Sequence, residues 1–541
     1  MFFNLTGSVP GRTGIAVCVL VLAAACQPAF STTLCVNPTG ATGCQTTIGA
    51  AVSAAASGDT IQVAAGTYKE DVVINKTLAL IGAGSATTII DATGLANGVN
   101  IDGSALAPGS GIKGVVISGF TIENANFQGI FAQNASFITI FSNQVLNNNK
   151  KLDVSGATPA CPGLADNLQA GEGFDCGEGI NLMGVDHSVV SNNVVQHNAG
   201  GILLSDDTGA THDNVIFGNL VADNQLDCGI TLASHSGMGI YHNTIASNQS
   251  LRNGLQLFGA GAGVGIFAPG PGSKTYGNVV VNNQLIGNGL PGVTMHNHAS
   301  VTGAPPVVFD DNMIVGNTIS QNGADTEDTA TAGPTGINIV SLAPMNGTVV
   351  SQNIISQEAI GFSFRAPGQV TASLNNLTAG IGIQNGGSGS IDATQNWWGC
   401  FGGPPSIACS QASGAVAFTP WLTVPFAALT LPIAPSGGGT TPPPSGITIV
   451  ITGPGGATSS TNTFQVTQGQ VPLDASQSTS TNAGGLSYSW QPAPGSSVGI
   501  PGGNTAQPFI QLAKPGTYQV ILTVTDSKGT TATATVTLQY I

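Results

Sequence analysis

An asparagine repeat constrains the fold of this chain more than any other feature of its sequence. Two Asn residues stand five positions apart around an apolar residue in the frame Asn-x-φ-x-x-Asn, as in SNNVVQHN and FGNLVADN. Where no insertion intervenes, successive copies are 20 to 26 residues apart. A unit this short cannot bury a core alone, so it must stack on copies of itself. The first Asn of each copy is Asn143, Asn193, Asn219, Asn243, Asn283 and Asn317, with looser copies at Asn353, Asn376 and Asn396.

Strand segments lie between the Asn frames. Period-two alternation of apolar residues is typical of strands with one buried face. Asn suits the turns between such strands because its side chain bonds its own backbone, tolerates left-handed geometry and forms amide ladders between stacked coils. The two repeats together predict an all-β parallel solenoid. The alternating segments each begin with a Gly: GINLMG from Gly179, GILLSDD from Gly201, GITLASH from Gly229, GVTMHNH from Gly292, GINIVS from Gly336 and GFSFRA from Gly361.

The two ends of the repeat region resemble a known family. Near the N-terminus, TTIGAAVSAAASGDT is typical of a helix and is followed by IQVAAGTYKEDVVI and TLALIGAG. This order resembles the opening of the pectin lyase-like superfamily, in which an amphipathic helix caps the first coil. The closing segment, IDATQNWWGCFGGPPSIACSQASGAVAFTPWLTVPF, is similar to the end of bacterial right-handed β-helix proteins. The resemblance implies a right-handed parallel β-helix with an N-terminal capping helix, and Trp397, Trp398 and Trp421 are expected to cover its last coil.

The C-terminal segment is predicted to be a separate small domain. APSGGGTTPPPSG is a linker rich in Pro, Gly and Thr, which favours an extended chain. Beyond it, KPGTYQVILTVTDSKGTTATATVTLQ alternates like strands and resembles a PKD-type immunoglobulin-like β-sandwich with Trp490 in its core, although YSWQPAPG replaces the family's WDFGDG motif. The predicted domains are a signal peptide at 1–31, the β-helix at 32–433, the linker at 434–446 and the sandwich at 447–541.

The N-terminus and the cysteines indicate export. A lone Arg12 precedes an apolar run from 15 to 25, which is too short to span a bilayer and is typical of a secretory signal. Cleavage is expected either at Ala29-Phe30-Ser31 or before Cys26, which follows three alanines as in a lipoprotein signal and would then carry a lipid anchor. In an oxidising compartment we expect three local disulfides, with Cys228 left over and buried. The expected pairs are Cys35 with Cys44, Cys161 with Cys176, and Cys400 with Cys409.

The charge balance excludes one class of partner. The 541 residues hold 11 Lys and Arg against 26 Asp and Glu, a formal net charge of −15, which repels nucleic acid and anionic lipid headgroups. A polyanionic glycan would need a local basic groove or bridging Ca²⁺. We therefore expect no nucleic-acid partner. No stretch after the N-terminal signal is apolar enough for a transmembrane helix, so we expect no transmembrane segment. The predicted partner is a polysaccharide or cell-surface glycan, and the protein is expected to be secreted or displayed on the cell surface.

Acidic residues and histidines concentrate in the middle of the repeat region, and all seven histidines lie between His187 and His298. Counted from the Gly of each coil, Asp207, His235 and His298 share one offset, whereas His296 and Arg365 share another. Because stacked coils are about 4.8 Å apart, residues at one offset form a row on the outside. Carboxylates and imidazoles can divide the roles of acid and base. The predicted catalytic residues are Asp186, Asp206, Asp207 and His235, and the predicted substrate-binding residues are Glu178, His212, His296, His298 and Arg365.

Three functions fit this pattern. The first is a polysaccharide hydrolase or lyase with acid–base chemistry from the Asp and His cluster. The order of these residues resembles that of polygalacturonases, but the Asn-Thr-Asp, Gly-His-Gly and Arg-Ile-Lys motifs of that family are absent. The motifs of pectin methylesterases and the Asp-Pro-His motif of epimerases are absent as well. The second is a non-catalytic adhesin or glycan-binding protein, because solenoids offer long binding faces. The third, implied by resemblance to related β-helices, is a periplasmic accessory protein for metal-site assembly. Carboxylates and histidines at one rim could also hold Ca²⁺ or a transition metal.

Overall fold

The structure is a computed structural model that describes most of residues 32–426 and 447–540. The gaps in the first range are 156–159, 164–175, 257–259, 298–304 and 327–329. The gaps in the second range are 455–461, 467–469, 481–485, 493–497, 499, 501–502, 504, 513–515 and 529–530. The predicted signal peptide with Cys26 and the predicted linker at 434–446 lie outside the described residues.

Three parallel sheets run side by side along the repeat region, which confirms the predicted parallel solenoid. In the described residues the first sheet has 14 strands, the second 11 and the third 16. The first sheet consists of Thr33–Val36, Asp59–Val63, Leu78–Gly82, Val116–Ser118, Thr139–Phe141, Val189–Ser191, Val215–Phe217, Thr244–Ala246, Val279–Val281, Met313–Val315, Met345–Ser351, Gly368–Ser373, Ser390–Asp392 and Val416–Ala417. The second consists of Gly66–Tyr68, Thr88–Asp91, Thr121–Glu123, Gln144–Leu146, Val194–Gln196, Leu220–Ala222, Gln249–Leu251, Gln284–Ile286, Thr318–Ser320, Ile354–Ser356 and Asn376–Thr378. The third consists of Val72–Ile74, Val99–Asp102, Ile112–Lys113, Ile130–Ser136, Ile180–Asp186, Ile202–Ser205, Thr211–His212, Ile230–Ala233, Ile240–Tyr241, Val264–Phe267, Thr275–Tyr276, Val293–Asn297, Thr335–Ser341, Ile360–Arg365, Ile381–Asn385 and Gln411–Ser413.

Alternate side chains of each strand point into one continuous core. Ile202 and Leu204 pair in register with Ile230 and Leu232 of the next coil, and all four are fully buried. Burying a side chain of this size contributes about 1.5–3 kcal/mol. The hydrophobic core therefore extends along the whole stack of coils, and the residues between these positions are left to face outward.

Three ladders of buried Asn side chains connect the turns of successive coils in the described residues. In each ladder the side-chain amide of one Asn donates to the side-chain oxygen of the next, at 2.9 to 3.2 Å. The first ladder is Asn143, Asn193, Asn219, Asn248, Asn283, Asn317, Asn353, Asn375 and Asn396; the second is Asn148, Asn198, Asn224, Asn253, Asn288 and Asn322; the third is Asn214, Asn243, Asn278 and Asn312.

The ladders correct the predicted register at two places. The sequence frame groups Asn243 with the first ladder, but Asn248 occupies that place and Asn243 belongs to the third ladder. The frame can start at either residue because this coil has Asn at 243, 248 and 253. Asn375, rather than Asn376, continues the first ladder. Ladder neighbours are separated by 21 to 36 residues, and by 50 at the insertion before Asn193.

A short helix, Ile48–Ala54, closes the N-terminal end of the solenoid, as predicted, after a 3-10 turn at Ala41–Gly43. Thr47 precedes the helix, and its side chain accepts a hydrogen bond from the backbone N–H of Ala50 at 3.2 Å. The Glu70 carboxylate accepts two further N–H groups of the first turn, at 2.7 Å each. These contacts satisfy donors that have no partner within the helix itself.

Aromatic residues cover the other end of the solenoid. Trp398 is fully buried and its ring meets Phe418 edge to face, with centroids 6.2 Å apart. Phe418 in turn contacts Trp421, with centroids 6.3 Å apart. Together with the helix at the N-terminal end, these rings shield the apolar core from solvent, as the sequence predicted.

The C-terminal region has its own hydrophobic core, which contains Trp490 as predicted. Phe509 of this region packs against Val189 and Val215 of the first sheet, and its ring lies 6.0 Å from that of Phe217. The strands are Ile447–Thr448, Thr463–Val466, Gln470–Pro472, Thr479–Ser480, Ser487–Pro492, Phe509–Gln511, Gly516–Thr525 and Thr531–Tyr540.

The cysteines pair as the sequence predicted. Disulfides join Cys35 to Cys44, Cys161 to Cys176 and Cys400 to Cys409. Cys228 is buried outside these pairs, and its sulfur accepts the N–H of Ala262. None of the helical segments among the described residues has the length and apolar character needed to cross a bilayer.

Candidate functional site

Two columns of side chains stand side by side where the third sheet turns into the first. The residues of the second column follow those of the first directly in the chain and occupy the corner, where φ is between 48° and 63°. A repeated left-handed corner places equivalent side chains of successive coils above one another. The first column is Ser136, Asp186, His212, Tyr241 and Tyr276. The second column is Phe137, His187, Asp213, His242 and Gly277.

Five titratable side chains of these columns converge, and we call them the rim cluster: Asp186, His187, His212, Asp213 and His242. His187 Nδ1 lies 2.7 Å from an oxygen of Asp186, and His212 Nδ1 lies 2.8 Å from Oδ2 of Asp213. His187 Nε2 and His242 Nδ1 each lie 3.8 Å from an oxygen of Asp213. The Asp213 carboxylate is therefore surrounded by three imidazoles.

Ring stacking fixes the orientation of the rim cluster. The rings of His212 and Tyr241 are stacked with centroids 4.7 Å apart, and Tyr241 stacks on Tyr276 at 5.1 Å. On the other side, Phe137 stacks on His187 at 5.0 Å. The cluster is nevertheless open to solvent, since the His187 and His242 side chains are 40% and 58% exposed. The site is thus both ordered and accessible.

The close pairs shift the pKa values of Asp186, His187 and Asp213 toward their charged forms. Partial burial acts to raise the pKa of Asp186, but hydrogen bonds from His187 and Ser136 outweigh it, so this pKa is lowered. The hydrogen bond to Asp186 raises the pKa of His187. For Asp213 burial again acts upward, but the hydrogen bond and charge of His212 and the neighbouring histidines lower the pKa overall.

Asp206 lies in the turn after the strand Ile202–Ser205 and has a structural role. It is fully buried, and its carboxylate accepts the N–H groups of His235, Ser236 and Gly239 at 2.7 to 2.9 Å. The hydroxyl of the adjacent Ser234 donates a fourth hydrogen bond at 2.8 Å. These donors all belong to the equivalent turn of the next coil. We therefore assign Asp206 the anchoring of that turn, in place of the predicted catalytic role.

Asp207 and His235 form the pair that the sequence offset predicted. Asp207 Oδ2 lies 3.2 Å from His235 Nδ1, and the two side chains are 12% and 9% exposed. Their turns lead directly into the strands Thr211–His212 and Ile240–Tyr241, which carry the rim cluster. His298, the third member of the predicted row, lies outside the described residues.

Two of the predicted substrate-binding residues have no exposed surface. Glu178 is completely buried, and this burial, with the charge of Asp227, raises its pKa well above the ordinary value. His296 is also completely buried; its Nε2 lies 2.7 Å from an Asp325 oxygen. A side chain without accessible surface does not contact a bound polymer, so this conformation does not support substrate binding by either residue. His296 and Arg365 do lie in one row across the third sheet, as their offset predicted, because each pairs with Val340 of the coil between them.

Sequence reasoning assigned no catalytic or binding role to His187, Asp213 and His242. Turns of unequal length separate the Gly of each coil from the corner. Equivalent corner residues therefore lie at different offsets from that Gly. The signal that finds the cluster is the third Asn ladder, because the two residues before each ladder position occupy the two columns. Aligned on that ladder, the triplets are Asp186-His187-Ser188, His212-Asp213-Asn214, Tyr241-His242-Asn243 and Tyr276-Gly277-Asn278.

Comparisons with known proteins agree with the architecture. Residues 97–268 match the family model described as right handed beta helix region, and residues 460–539 match a family model of a PKD domain. The chain thus contains a right-handed β-helix region and a C-terminal PKD domain. A search among curated proteins gave no match.

This β-helix protein is also similar to solved structures at low sequence identity. The Dettilon tailspike protein is 13% identical with a TM-score of 0.42, and the match covers 88% of this chain and 84% of that one. The A-module of a mannuronan C-5 epimerase from Azotobacter vinelandii is 15% identical with a TM-score of 0.35, covering 70% of this chain and 94% of that one. A nucleoside hydrolase-related hypothetical protein from Saccharophagus degradans is 23% identical with a TM-score of 0.15; the match covers 17% of this chain and 25% of that one.

Proposed function

We propose that this β-helix protein is an extracellular carbohydrate-active enzyme, a hydrolase or lyase of a polysaccharide, with Asp207 as acid–base group and His235 as its partner. The observation that carries the proposal is the 3.2 Å contact between Asp207 Oδ2 and His235 Nδ1 on adjacent coils. Only 7% of the residues of this chain are charged, so a carboxylate–imidazole pair beside a second cluster of the same groups is a marked concentration. A carboxylate and an imidazole in contact are groups that general acid–base catalysis uses.

The pair suits both candidate reactions. Hydrolysis needs a proton donor to the glycosidic oxygen, and β-elimination needs a base that removes a proton from the sugar ring. Asp207 is the more exposed member of the pair, so we assign it the proton transfer with the sugar, and we assign His235 the positioning of that carboxylate. Arg365, on the strand Ile360–Arg365, retains partial exposure and is our candidate for binding an acidic sugar.

We also propose export through the signal at 1–31. The three disulfides support an oxidising compartment, where such bonds persist. The intact mass of the mature N-terminal peptide distinguishes the two forms of the proposal: a free N-terminus near Ser31 indicates a secreted protein, and a diacylated Cys26 indicates a lipid-anchored one. A mature protein that retains Met1 would contradict export through this signal.

The activity is tested by screening the purified mature protein against neutral and acidic polysaccharides, with and without Ca²⁺. New reducing ends without the ultraviolet absorbance of an unsaturated sugar indicate hydrolysis, and new reducing ends with that absorbance indicate a lyase. Retention on a glycan without cleavage would instead support the second candidate, a glycan-binding surface protein, for which a solenoid provides a long face. Neither cleavage nor retention on any polymer would contradict both.

A further inference from the structure

The rim cluster has the composition and geometry of a metal site. We propose that His187, His212 and Asp213 bind a divalent transition metal, with His242 as the fourth ligand. The ligand atoms of the first three residues all lie within 4.8 Å of one another. This function is separate from the acid–base role proposed for Asp207 and His235, because it depends on different side chains.

The observed distances bracket those of a coordinated ion. Two donors bound at about 2.1 Å to one tetrahedral Zn²⁺ are about 3.4 Å apart. In the structure, the separations from the Asp213 carboxylate are 2.8 Å to His212, 3.8 Å to His187 and 3.8 Å to His242. Shifts of well under 1 Å would therefore bring each imidazole to the coordinating separation from the Asp213 carboxylate.

Asp186 orients one of the proposed ligands. Its carboxylate lies 2.7 Å from His187 Nδ1, and an ionised carboxylate only accepts hydrogen bonds, so this nitrogen carries the hydrogen. The other ring nitrogen, Nε2, then presents its lone pair on the side of Asp213, 3.8 Å away. A carboxylate behind a ligating histidine fixes the tautomer and the ring direction in the way that metal sites require.

The coil that follows His242 leaves room for its side chain. A Cβ added to Gly277, which follows in the same column, would lie 2.8 Å from Cδ2 of His242. Gly277 also has φ 63°, a conformation that favours glycine. The absence of a side chain at this corner therefore allows the His242 imidazole to lie along the rim beside Asp213.

The donor set selects the class of metal. Imidazole nitrogens with one carboxylate suit Zn²⁺, Cu²⁺, Ni²⁺ or Fe²⁺, whereas Ca²⁺ takes six to eight oxygen ligands. The rim cluster offers three imidazoles, so Ca²⁺ is not its ion. The chelating atoms come from adjacent coils held in register by backbone pairing, so the site is preorganised.

Zn²⁺ titration of chelator-treated, full-length protein tests this proposal by calorimetry, and Co²⁺ absorption reports the ligand field. We expect one equivalent of Zn²⁺ to bind and the Co²⁺ complex to show the intense visible bands of a four-coordinate site. Asp213→Asn and His212→Gln are each expected to weaken Zn²⁺ binding more than about 100-fold, and Asp186→Asn about 10- to 100-fold.

His197→Gln is the matched control, because His197 is exposed and also has positive φ but lies outside the cluster. It should bind Zn²⁺ as the unmodified protein does. Absence of stoichiometric Zn²⁺ and Co²⁺ binding by the unmodified protein would overturn the proposal, as would unchanged binding by folded Asp213→Asn and His212→Gln variants. Neither result bears on polysaccharide cleavage, which is assayed separately with the Asp207 variant.

Discussion

Asn219 donates its side-chain amide to the side-chain oxygen of Asn248 in the next coil, with 3.0 Å between nitrogen and oxygen. The same amide donates to the Val190 carbonyl, and the Asn219 oxygen accepts from the backbone and side-chain nitrogens of Asn193. All of these groups are buried, so one truncation leaves several polar atoms without partners. The ladder is thus a stabilising element in its own right.

Asn219→Ala is expected to lower the free energy of unfolding by about 2–4 kcal/mol, because buried donors and acceptors lose their partners together. Urea unfolding followed by circular dichroism measures this. Asn346→Ala, at an exposed Asn of the strand Met345–Ser351, should change it by less than about 0.5 kcal/mol. Equal effects of the two substitutions would contradict the structural role of the ladder.

Asp206→Ala is expected to release the turn that carries His235. The substitution removes the acceptor of four hydrogen bonds, and we expect a loss of roughly 2–3 kcal/mol of stability. Hydrogen exchange at the amides of His235, Ser236 and Gly239 should accelerate. Asp153→Asn, at an exposed carboxylate far from this turn in sequence, serves as the control. Unchanged exchange at the three amides in Asp206→Ala would show that the carboxylate does not hold this turn.

Glu358 makes stability depend on pH. It ends the second ladder, where its Oε1 accepts the backbone and side-chain N–H groups of Asn322 at 3.0 Å each, and burial raises its pKa from 4.5 to about 7. Because the folded pKa is the higher one, the associated stability is complete below pH 4.5 and is lost as pH rises through 7.

Glu358→Gln removes this titration while keeping the acceptor oxygen. We expect the melting temperature of the variant to match that of the unmodified protein near pH 4.5 and to exceed it by about 2 °C at pH 8. Glu123→Gln is a comparison at a less buried carboxyl whose pKa is also raised by burial, and it should show a smaller difference. A pH-independent difference for Glu358→Gln would contradict the assignment.

The sequence was sufficient to predict most of the fold because the solenoid is built from local repeats. The Asn frame and the Gly-led strands predicted the stacked coils, and Trp398 and Trp490 were placed correctly as a capping ring and a core ring. The register at Asn243 could not be predicted, since three equally spaced Asn residues leave two frames that satisfy the same pattern. Only pairing between coils decides which Asn joins which ladder.

The site could be predicted only in part. Asp207 and His235 share an offset from their Gly because their two coils have similar lengths up to the turn, and their contact follows. The burial of Glu178, Asp206 and His296 could not be predicted, because burial on the outer face depends on contacts with other coils, such as those of the turn from Ser234 to Gly239 with Asp206. The positions of the rim-cluster residues instead follow from the third Asn ladder, because these residues are the two that precede each ladder position in the chain.

The most direct test of the proposed function is the initial rate of polysaccharide cleavage by Asp207→Asn relative to the unmodified protein. Removal of a general acid–base group is expected to lower kcat about 10²- to 10⁴-fold. Asp223→Asn, which changes only a surface ion pair with Arg252, should retain the full rate. A folded Asp207→Asn variant with the low rate and an active Asp223→Asn variant support the account, whereas full activity of Asp207→Asn would contradict it.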